Sequence, residues 1–173
     1  MGISLYDAIV PNYLQVLGSL RGVLIKGQKY AAAAALPLET LAEARLVEDM
    51  FPLRLQVQRV ADHSAGALRD ARQGAFSMPR LETGDYAALR QLIVDTEAAL
   101  ANCTRDEVNA LEGRAVNFDT GSHKTTFTAE AFLLSFSLPN FYFHATTAYD
   151  ILRMKGVPIG KRDYLGQLRT KLG

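Results

Sequence analysis

The sequence predicts a mainly α-helical domain, an up-and-down bundle of four helices with a small β-hairpin inserted before the last long helix. Three observations lead to this prediction. Apolar residues recur at helical spacing over most of the chain, turn-rich segments separate the long stretches of this pattern, and residues 113–128 change to the residue types of paired strands. No shift in composition divides the chain, so we expect residues 1–173 to form one domain.

The first helix is expected to begin after Ser4, whose hydroxyl can cap it, and to end near Leu36, just before Pro37. Pro11 and three glycines within this stretch are expected to bend the helix or to allow close packing. A second helical region follows from Leu38 to Gly74.

Two signals describe that second region. Thr40 and Glu43 have the spacing of a capping box, and Phe51-Pro52 should interrupt the helix after two or three turns. The residues after the interruption that recur at helical steps are expected to form its core stripe: Leu53, Val57, Val60, Ala61, Ser64 and Leu68.

Residues 75–84 contain Pro79 and are predicted to be a loop, after which Asp85 caps a third helix. Thr104 and Glu107 predict a short helix. The hairpin is expected to pair Ala115–Phe118 with Lys124–Phe127.

The last long helix should run from after Thr128 to before Gly156, a residue suited to end a helix. Pro139 lies inside it and lacks the amide hydrogen that would bond the Ser135 carbonyl, so we expect a kink just ahead of Asn140.

Composition excludes several classes of protein. The chain has 19 basic and 18 acidic residues, a net charge of +1, and no long run of either sign, so no nucleic-acid or anionic-membrane partner is indicated. Cys103 is its single cysteine, which rules out an intrachain disulfide and a thiolate metal cluster. No basic segment precedes an apolar stretch at the N-terminus and no apolar run reaches membrane-spanning length, so we expect a soluble, cytoplasmic protein.

Asn140 and His144 place two polar side chains on one face of a mostly apolar helix. Such a pair is either a buried hydrogen-bonding site, with Gln56 or a tyrosine as a further partner, or part of a ligand or metal pocket. His144 falls within the stripe of Phe141 and Ala148, so we expect it to be buried.

The chain resembles an uncharacterised bacterial family known by a domain-of-unknown-function number, one-nine-nine-three, and that family is similar in turn to the DinB/YfiT-like superfamily of four-helix bundles. The residues that carry the resemblance are Asp49-Met50-Phe51-Pro52-Leu53, Gln56-Val57-Gln58, Leu138-Pro139-Asn140-Phe141-Tyr142-Phe143-His144, Thr147-Ala148-Tyr149, Leu152-Arg153 and the string from Gly156 to Gly166. The resemblance spans nearly the whole chain.

The superfamily resemblance implies a divalent metal, nickel or zinc, held by one histidine of the second helix and two of the last helix. It also implies a thiol-dependent transferase activity and a dimer. In this sequence the matching residues are His63, Asn140 and His144. Asn140 replaces a histidine, and asparagine is a poor ligand for nickel or zinc, so the triad is degenerate.

On a helical wheel His63 lies about 130° from the centre of the core stripe, on a flank with Gln56 and Asp70, which favours a solvent-facing position. Its neighbour Asp62 is a further oxygen donor, but adjacent helical residues point about 100° apart.

Two classes of function are consistent with these residues. The leading hypothesis is a metal-free, homodimeric module that binds a small ligand or a partner, in which the aromatic side chains around Phe141 supply core and contact surface. The alternative is a metal-dependent enzyme, a thiol-dependent transferase or a hydrolase-like protein, with a pocket around His144.

The other candidates have simpler interpretations. His123 is expected to be a solvated turn residue, and Cys103 a small core residue. The segment from Gly156 to Gly166 lacks the ending of a phosphate-binding loop, and Lys161, Arg162 and Asp163 are expected to attach the C-terminal tail to the bundle by ion pairs and backbone hydrogen bonds.

Overall fold

The structure is a computed structural model that describes residues 2–76, 84–119, 121 and 124–170. This part of the chain is mostly helical and carries one small sheet. In chain order its elements are α1 Leu5–Ala33, α2 Leu38–Ala42, α3 Leu53–Ala61, a first π-helical turn Asp62–Gly66, α4 Ala67–Gln73, β1 Ala75–Phe76, α5 Tyr86–Ala101, α6 Arg105–Asn109, β2 Ala115–Asp119, β3 Lys124–Thr128, α7 Ala129–Ala131, a second π-helical turn Phe132–Ser137, α8 Leu138–Met154 and α9 Lys161–Leu165.

Helix α1 is continuous from its predicted start. The Ser4 hydroxyl accepts a hydrogen bond from the Asp7 amide, and the helix passes through Pro11 without a break. Because Pro11 lies in the second turn, its missing amide hydrogen costs the helix one bond near an end where several amides have no helical partner anyway.

The expectation that no apolar run reaches membrane-spanning length is wrong for α1. This helix contains an 18-residue window with a mean hydropathy of 1.3, which is sufficient by length and composition to cross a membrane. Half of that window is buried inside the fold, as in the core helix of a soluble protein, so the helix is weak evidence for a membrane span.

Of the two capping boxes that the residue spacing predicts, the structure contains one. Thr104 and Glu107 form the box at the start of α6, since each side chain bonds the other residue's backbone amide. The box expected at Thr40 and Glu43 is wrong, because α2 already begins at Leu38 and Thr40 lies inside its first turn. The chain then leaves the helical conformation until Pro52, so the interruption is longer than the sequence indicated.

The core lies between four helical segments. Helix α1 packs against α5 and α8, and α3 packs against the same two helices. All six residues of the predicted stripe on α3, the first π-turn and α4 are buried, which confirms that prediction. The largest side chains enclosed here include Tyr13, Tyr86, Phe132, Phe141 and Ile93.

The sheet has the order β1-β2-β3. Strands β2 and β3 pair in antiparallel register from Ala115 opposite Thr128 to Asp119 opposite Lys124, which confirms the hairpin. Strand β1 pairs with β2 in parallel, so the prediction of a loop is wrong at Ala75 and Phe76. The rest of that loop through residue 83, and His123 in the hairpin turn, lie outside the described residues.

Aromatic rings join the sheet to the second π-turn. Phe76 and Phe118 stack with their ring centroids 4.9 Å apart, and Phe136 meets both rings edge-on at 5.3 and 5.0 Å. The Phe136 ring also meets His63 edge-on at 5.4 Å. The Phe136 ring therefore connects the rings of the sheet to His63.

Candidate functional site

His63 lies in the first π-turn and is buried, with 5% of its surface exposed. The expectation that it faces solvent is wrong, and so is the same expectation for its flank, since Gln56 and Asp70 are also buried. A wheel drawn at 100° per residue does not include the extra residue of a π-turn, nor does it show that α8 covers this flank. The structure thus places His63 beside α8.

His144 is buried, as predicted, and its partner is Gln56. The His144 Nδ1 lies 2.7 Å from Oε1 of Gln56, across the interface between α8 and α3. The Gln56 Nε2 donates to the Phe51 carbonyl at 3.0 Å, which leaves its Oε1 as the acceptor facing the ring. It follows that His144 donates from Nδ1 and carries its free lone pair on Nε2.

The two histidine rings lie next to each other. Their centroids are 5.6 Å apart and their planes differ by 11°. Burial, with a smaller contribution from Arg59, lowers the pKa of His144 to about 4. Burial and then the neighbouring His144 lower the pKa of His63 to about 4 as well, so both rings are neutral at neutral pH.

An ion pair lies beside the rings. Arg59 is buried with 6% of its surface exposed, and its Nη1 lies 3.0 Å from Oδ2 of Asp62. Burial raises the pKa of Asp62, although Arg59 opposes this. The Asp62 carboxylate is therefore engaged with Arg59. The positive charge of the Arg59 guanidinium further disfavours protonation of both histidines.

Asn140 bonds its own helix. Its Nδ2 donates to the Phe136 carbonyl at 2.7 Å, and the residue is only partly buried. This carbonyl belongs to the second π-turn, which ends at Ser137 just before α8, and Pro139 is the second residue of α8. The irregularity expected ahead of Asn140 thus takes the form of a π-turn, and the Asn140 amide satisfies one of its carbonyls.

Sequence reasoning missed Ser137, which joins the two π-turns. Its hydroxyl donates to the His63 carbonyl at 2.7 Å, and the Tyr13 hydroxyl lies 3.2 Å from the Ser137 hydroxyl oxygen. Since Ser137 has a single hydroxyl proton, Tyr13 must be the donor in the second bond. A serine two residues before a proline in an apolar helix was the only signal, and it does not identify a distant partner.

The chain is similar to one known protein family and to a solved structure. A family model described as "Domain of unknown function (DUF1993)" matches residues 5–165. The chain belongs to the DUF1993 family. A crystal structure of a DinB family member protein from Shewanella denitrificans is similar to it, with 28% identity and a TM-score of 0.82, over 98% of this chain and 96% of that one. No curated protein matches.

The donors around His63 do not fit the three-histidine metal site that the DinB resemblance implies. Among the residues described for this DUF1993 chain, no group of three or more His, Cys, Asp and Glu side chains could hold a metal ion. Two imidazoles are present, and the third position is Asn140, whose amide nitrogen bonds a helix carbonyl. An amide is also a weak donor for nickel or zinc.

The DUF1993 chain has one polar atom here without a partner. His63 Nδ1 is fully buried and makes no hydrogen bond within the described part of the chain. A buried imidazole nitrogen of this kind makes one hydrogen bond with a small molecule, as donor or as acceptor according to the tautomer of the ring. The three clefts of 220 to 320 Å³ described on the surface are lined by other residues, so His63, Asn140 and His144 do not line any of them.

Proposed function

We propose that this DUF1993 chain is a metal-free DinB-like module that binds a small ligand or a partner and does not catalyse a reaction at the former metal position. The observation that carries the proposal is Asn140 at the third donor position, where its amide nitrogen donates to the Phe136 carbonyl and an amide is a weak ligand for nickel or zinc. The hydrogen bond from His144 to Gln56 adds a structural role for the last-helix histidine inside the core. A residue held in this way stabilises the contact between α3 and α8.

The environment of the rings gives both histidines a packing role in the core. Both histidines have their pKa lowered to about 4, and each lies beside an aromatic ring, Phe136 for His63 and Phe143 for His144. Neutral imidazoles in such a site accept hydrogen bonds and pack as flat rings. The Asn140 amide is committed to the Phe136 carbonyl.

The proposal includes an architecture and a setting. The mutual packing of α1, α5, α3 and α8 supports a four-helix bundle, and the family match over residues 5–165 supports a single domain. Gln56 contacts the Phe51 carbonyl, and His144 contacts the Phe143 ring. The Phe51 and Phe143 side chains are 41% and 54% exposed, and they offer contact surface for a homodimer. We place the protein in the cytoplasm, where its single cysteine remains reduced.

The test is metal content, measured by elemental mass spectrometry on tag-free protein and followed by nickel, zinc and manganese titrations with thermal unfolding. Wild type, His63→Ala and His144→Ala are compared, with Asn140→Ala as the control that keeps both imidazoles. We expect no stoichiometric metal and no metal-dependent rise in melting temperature. A stoichiometric metal that is lost in both histidine variants would overturn the proposal and support the thiol-dependent transferase.

A further inference from the structure

The C-terminal segment crosses the fold as a strap, which we define as residues 156–170. After α8 ends, Val157 and Ile159 insert into the core, and α9 then returns across α1. The Ser19 hydroxyl contacts the carbonyls of Asp163 and Tyr164, the second at 2.6 Å, and Gln15 Nε2 donates to the Leu165 carbonyl at 2.9 Å.

Side chains attach the strap at three further points. Lys26 Nζ lies 2.6 Å from Oδ1 of Asp163, which confirms the expected ion pair for that residue. Thr146 Oγ1 donates to the Tyr164 hydroxyl at 2.9 Å, and Arg169 donates to Oδ1 of Asn12 at 2.6 Å. The strap is therefore bonded to α1 on one side and to α8 on the other.

A cleft of about 250 Å³ lies between the strap, α1 and α8. Its lining residues are Asn12, Gln15, Val16, Tyr142, Tyr164 and Leu165. A second, narrower gap shares Val16 and Tyr164 with it and continues to Ser19 and Tyr149. The Tyr149 and Tyr164 rings meet edge-on with centroids 5.8 Å apart, so three tyrosines surround the region.

This cleft is separate from the histidine pair. Tyr142 and His144 are two residues apart on α8, which places their side chains about 200° apart around the helix axis. His144 contacts Gln56 of α3, whereas Tyr142 lines the cleft on the side of α1 and the strap.

The lining residues define the chemistry of an occupant. None of the six carries a charge, two are amides, and two are tyrosines that present ring surface. Aromatic walls favour a ring, which they contact face to edge or in offset stacks. Asn12 is already bonded to the Ala8 carbonyl and to Arg169, and the Gln15 amide nitrogen to the Leu165 carbonyl, so the Gln15 side-chain oxygen and the phenol hydroxyls are the groups that provide hydrogen bonds for one polar group. The volume of about 250 Å³ restricts the occupant to a small molecule.

We propose that the cleft beneath the C-terminal strap is a binding site for a small, neutral aromatic molecule with a hydrogen-bonding group. This site rests on the proposed function, because it is where the binding module takes its ligand. It also gives the string from Gly156 to Gly166 a role, since Tyr164 and Leu165 of that string line the site.

The experiment uses p-cresol as the probe and the full chain labelled with nitrogen-15. Amide shifts are expected to concentrate at residues 12–23, 142–149 and 164–166, and cyclohexanol, which lacks the aromatic ring, is expected to bind more weakly. Tyr164→Leu and Tyr142→Leu should each weaken p-cresol binding about threefold to tenfold, the loss of one aromatic contact. Tyr6→Leu, a tyrosine on α1 whose ring faces Arg105, is the matched control and should leave binding unchanged.

Four results would overturn the site: shifts centred on His63 and His144, no localised shifts, equal binding of cyclohexanol and p-cresol, or weakening by Tyr164→Leu but not by Tyr142→Leu. Tyr164→Leu could weaken binding only because it detaches the strap from the bundle. Tyr142 lies on α8, outside the strap, so Tyr142→Leu tests the aromatic contact without that effect. Stoichiometric metal at the histidines would overturn the proposed function alone, and it would leave the p-cresol shifts where they are.

Discussion

His144 donates a hydrogen bond to Gln56 across the interface between α8 and α3, with 2.7 Å between Nδ1 and Oε1. Gln56 in turn donates to the Phe51 carbonyl just ahead of α3, so one glutamine fixes both the ring and the entry of the helix. The bond is buried, and a buried polar group that loses its partner is costly. This relationship explains why a histidine can remain in the core without a metal.

We predict that His144→Ala destabilises the protein by about 2–4 kcal/mol, because it leaves a void and an unpartnered Gln56 oxygen. Urea unfolding of wild type and variant measures the change. Gln56→Ala and the double variant complete a cycle, in which we expect a coupling of about 0.5–1.5 kcal/mol. A melting temperature equal to that of wild type for His144→Ala would contradict the burial of this ring.

Ser137→Ala should destabilise the protein by about 1–3 kcal/mol, since it leaves the buried His63 carbonyl and the Tyr13 hydroxyl without the bonds that Ser137 provides. Ser135→Ala is the matched control, because Ser135 is exposed and bonds only the Ala131 carbonyl of its own helix. Its effect should stay within about 0.5 kcal/mol. Equal effects of the two substitutions in urea unfolding would count against the link between the π-turns.

Gly27→Ala should destabilise the protein by about 1–3 kcal/mol. A methyl group at this position would stand closer than van der Waals contact to the Tyr86 hydroxyl, which donates to the Leu24 carbonyl at 3.0 Å. Gly22→Ala lies on the same helix with open space around it, and alanine's higher helix propensity should stabilise the protein by about 0.5–1 kcal/mol. Opposite signs in thermal unfolding are the expected result, and two changes of the same sign would refute it.

Stability should fall as the pH is lowered from about 6.5 towards 4. The pKa of each buried histidine is about 4 in the fold against 6.5 when unfolded, so the unfolded chain binds more protons in this window. The loss between pH 7 and 4.5 should be about 2 kcal/mol per histidine. Asp62 acts in the opposite direction, because its pKa is raised.

Urea unfolding at pH 7 and pH 4.5 measures this loss. The His63→Gln/His144→Gln double variant is the control and should lose much less stability between the two pH values. Asp163 and Asp7, whose pKa is lowered from 3.8, lose their contribution mostly below this window. Glu107 and Glu130, whose pKa is lowered from 4.5, lose part of theirs within it, and that loss is common to wild type and the double variant, so the comparison removes it. An identical pH dependence in wild type and the double variant would show that the rings are not held neutral.

Local signals in the sequence were sufficient for several elements. Asp85 caps α5 because its side chain accepts from the Ala88 amide, and such a cap is encoded within four residues. The hairpin and the burial of His144 were also predicted, because alternation and helical spacing are local patterns.

The features that sequence reasoning missed depend on distant residues. Strand β1 has two residues and exists only because β2, some forty positions later, pairs with it. The π-turns depend on tertiary bonds such as that from Ser137 to the His63 carbonyl. His63 was assigned to the wrong side because a helical wheel contains no neighbouring helix, and here α8 covers its flank.

The most direct test of a metal-free site is side-chain nitrogen-15 NMR of His63 and His144 at neutral pH, before and after one equivalent of zinc. We predict two neutral rings, with the proton of His144 on Nδ1, and no change in either ring when zinc is added. Stoichiometric shifts of both rings with one equivalent of zinc would contradict a metal-free site. In that case the Asn140→Ala variant shows whether Asn140 is a ligand, because the shifts would be lost in this variant if it is.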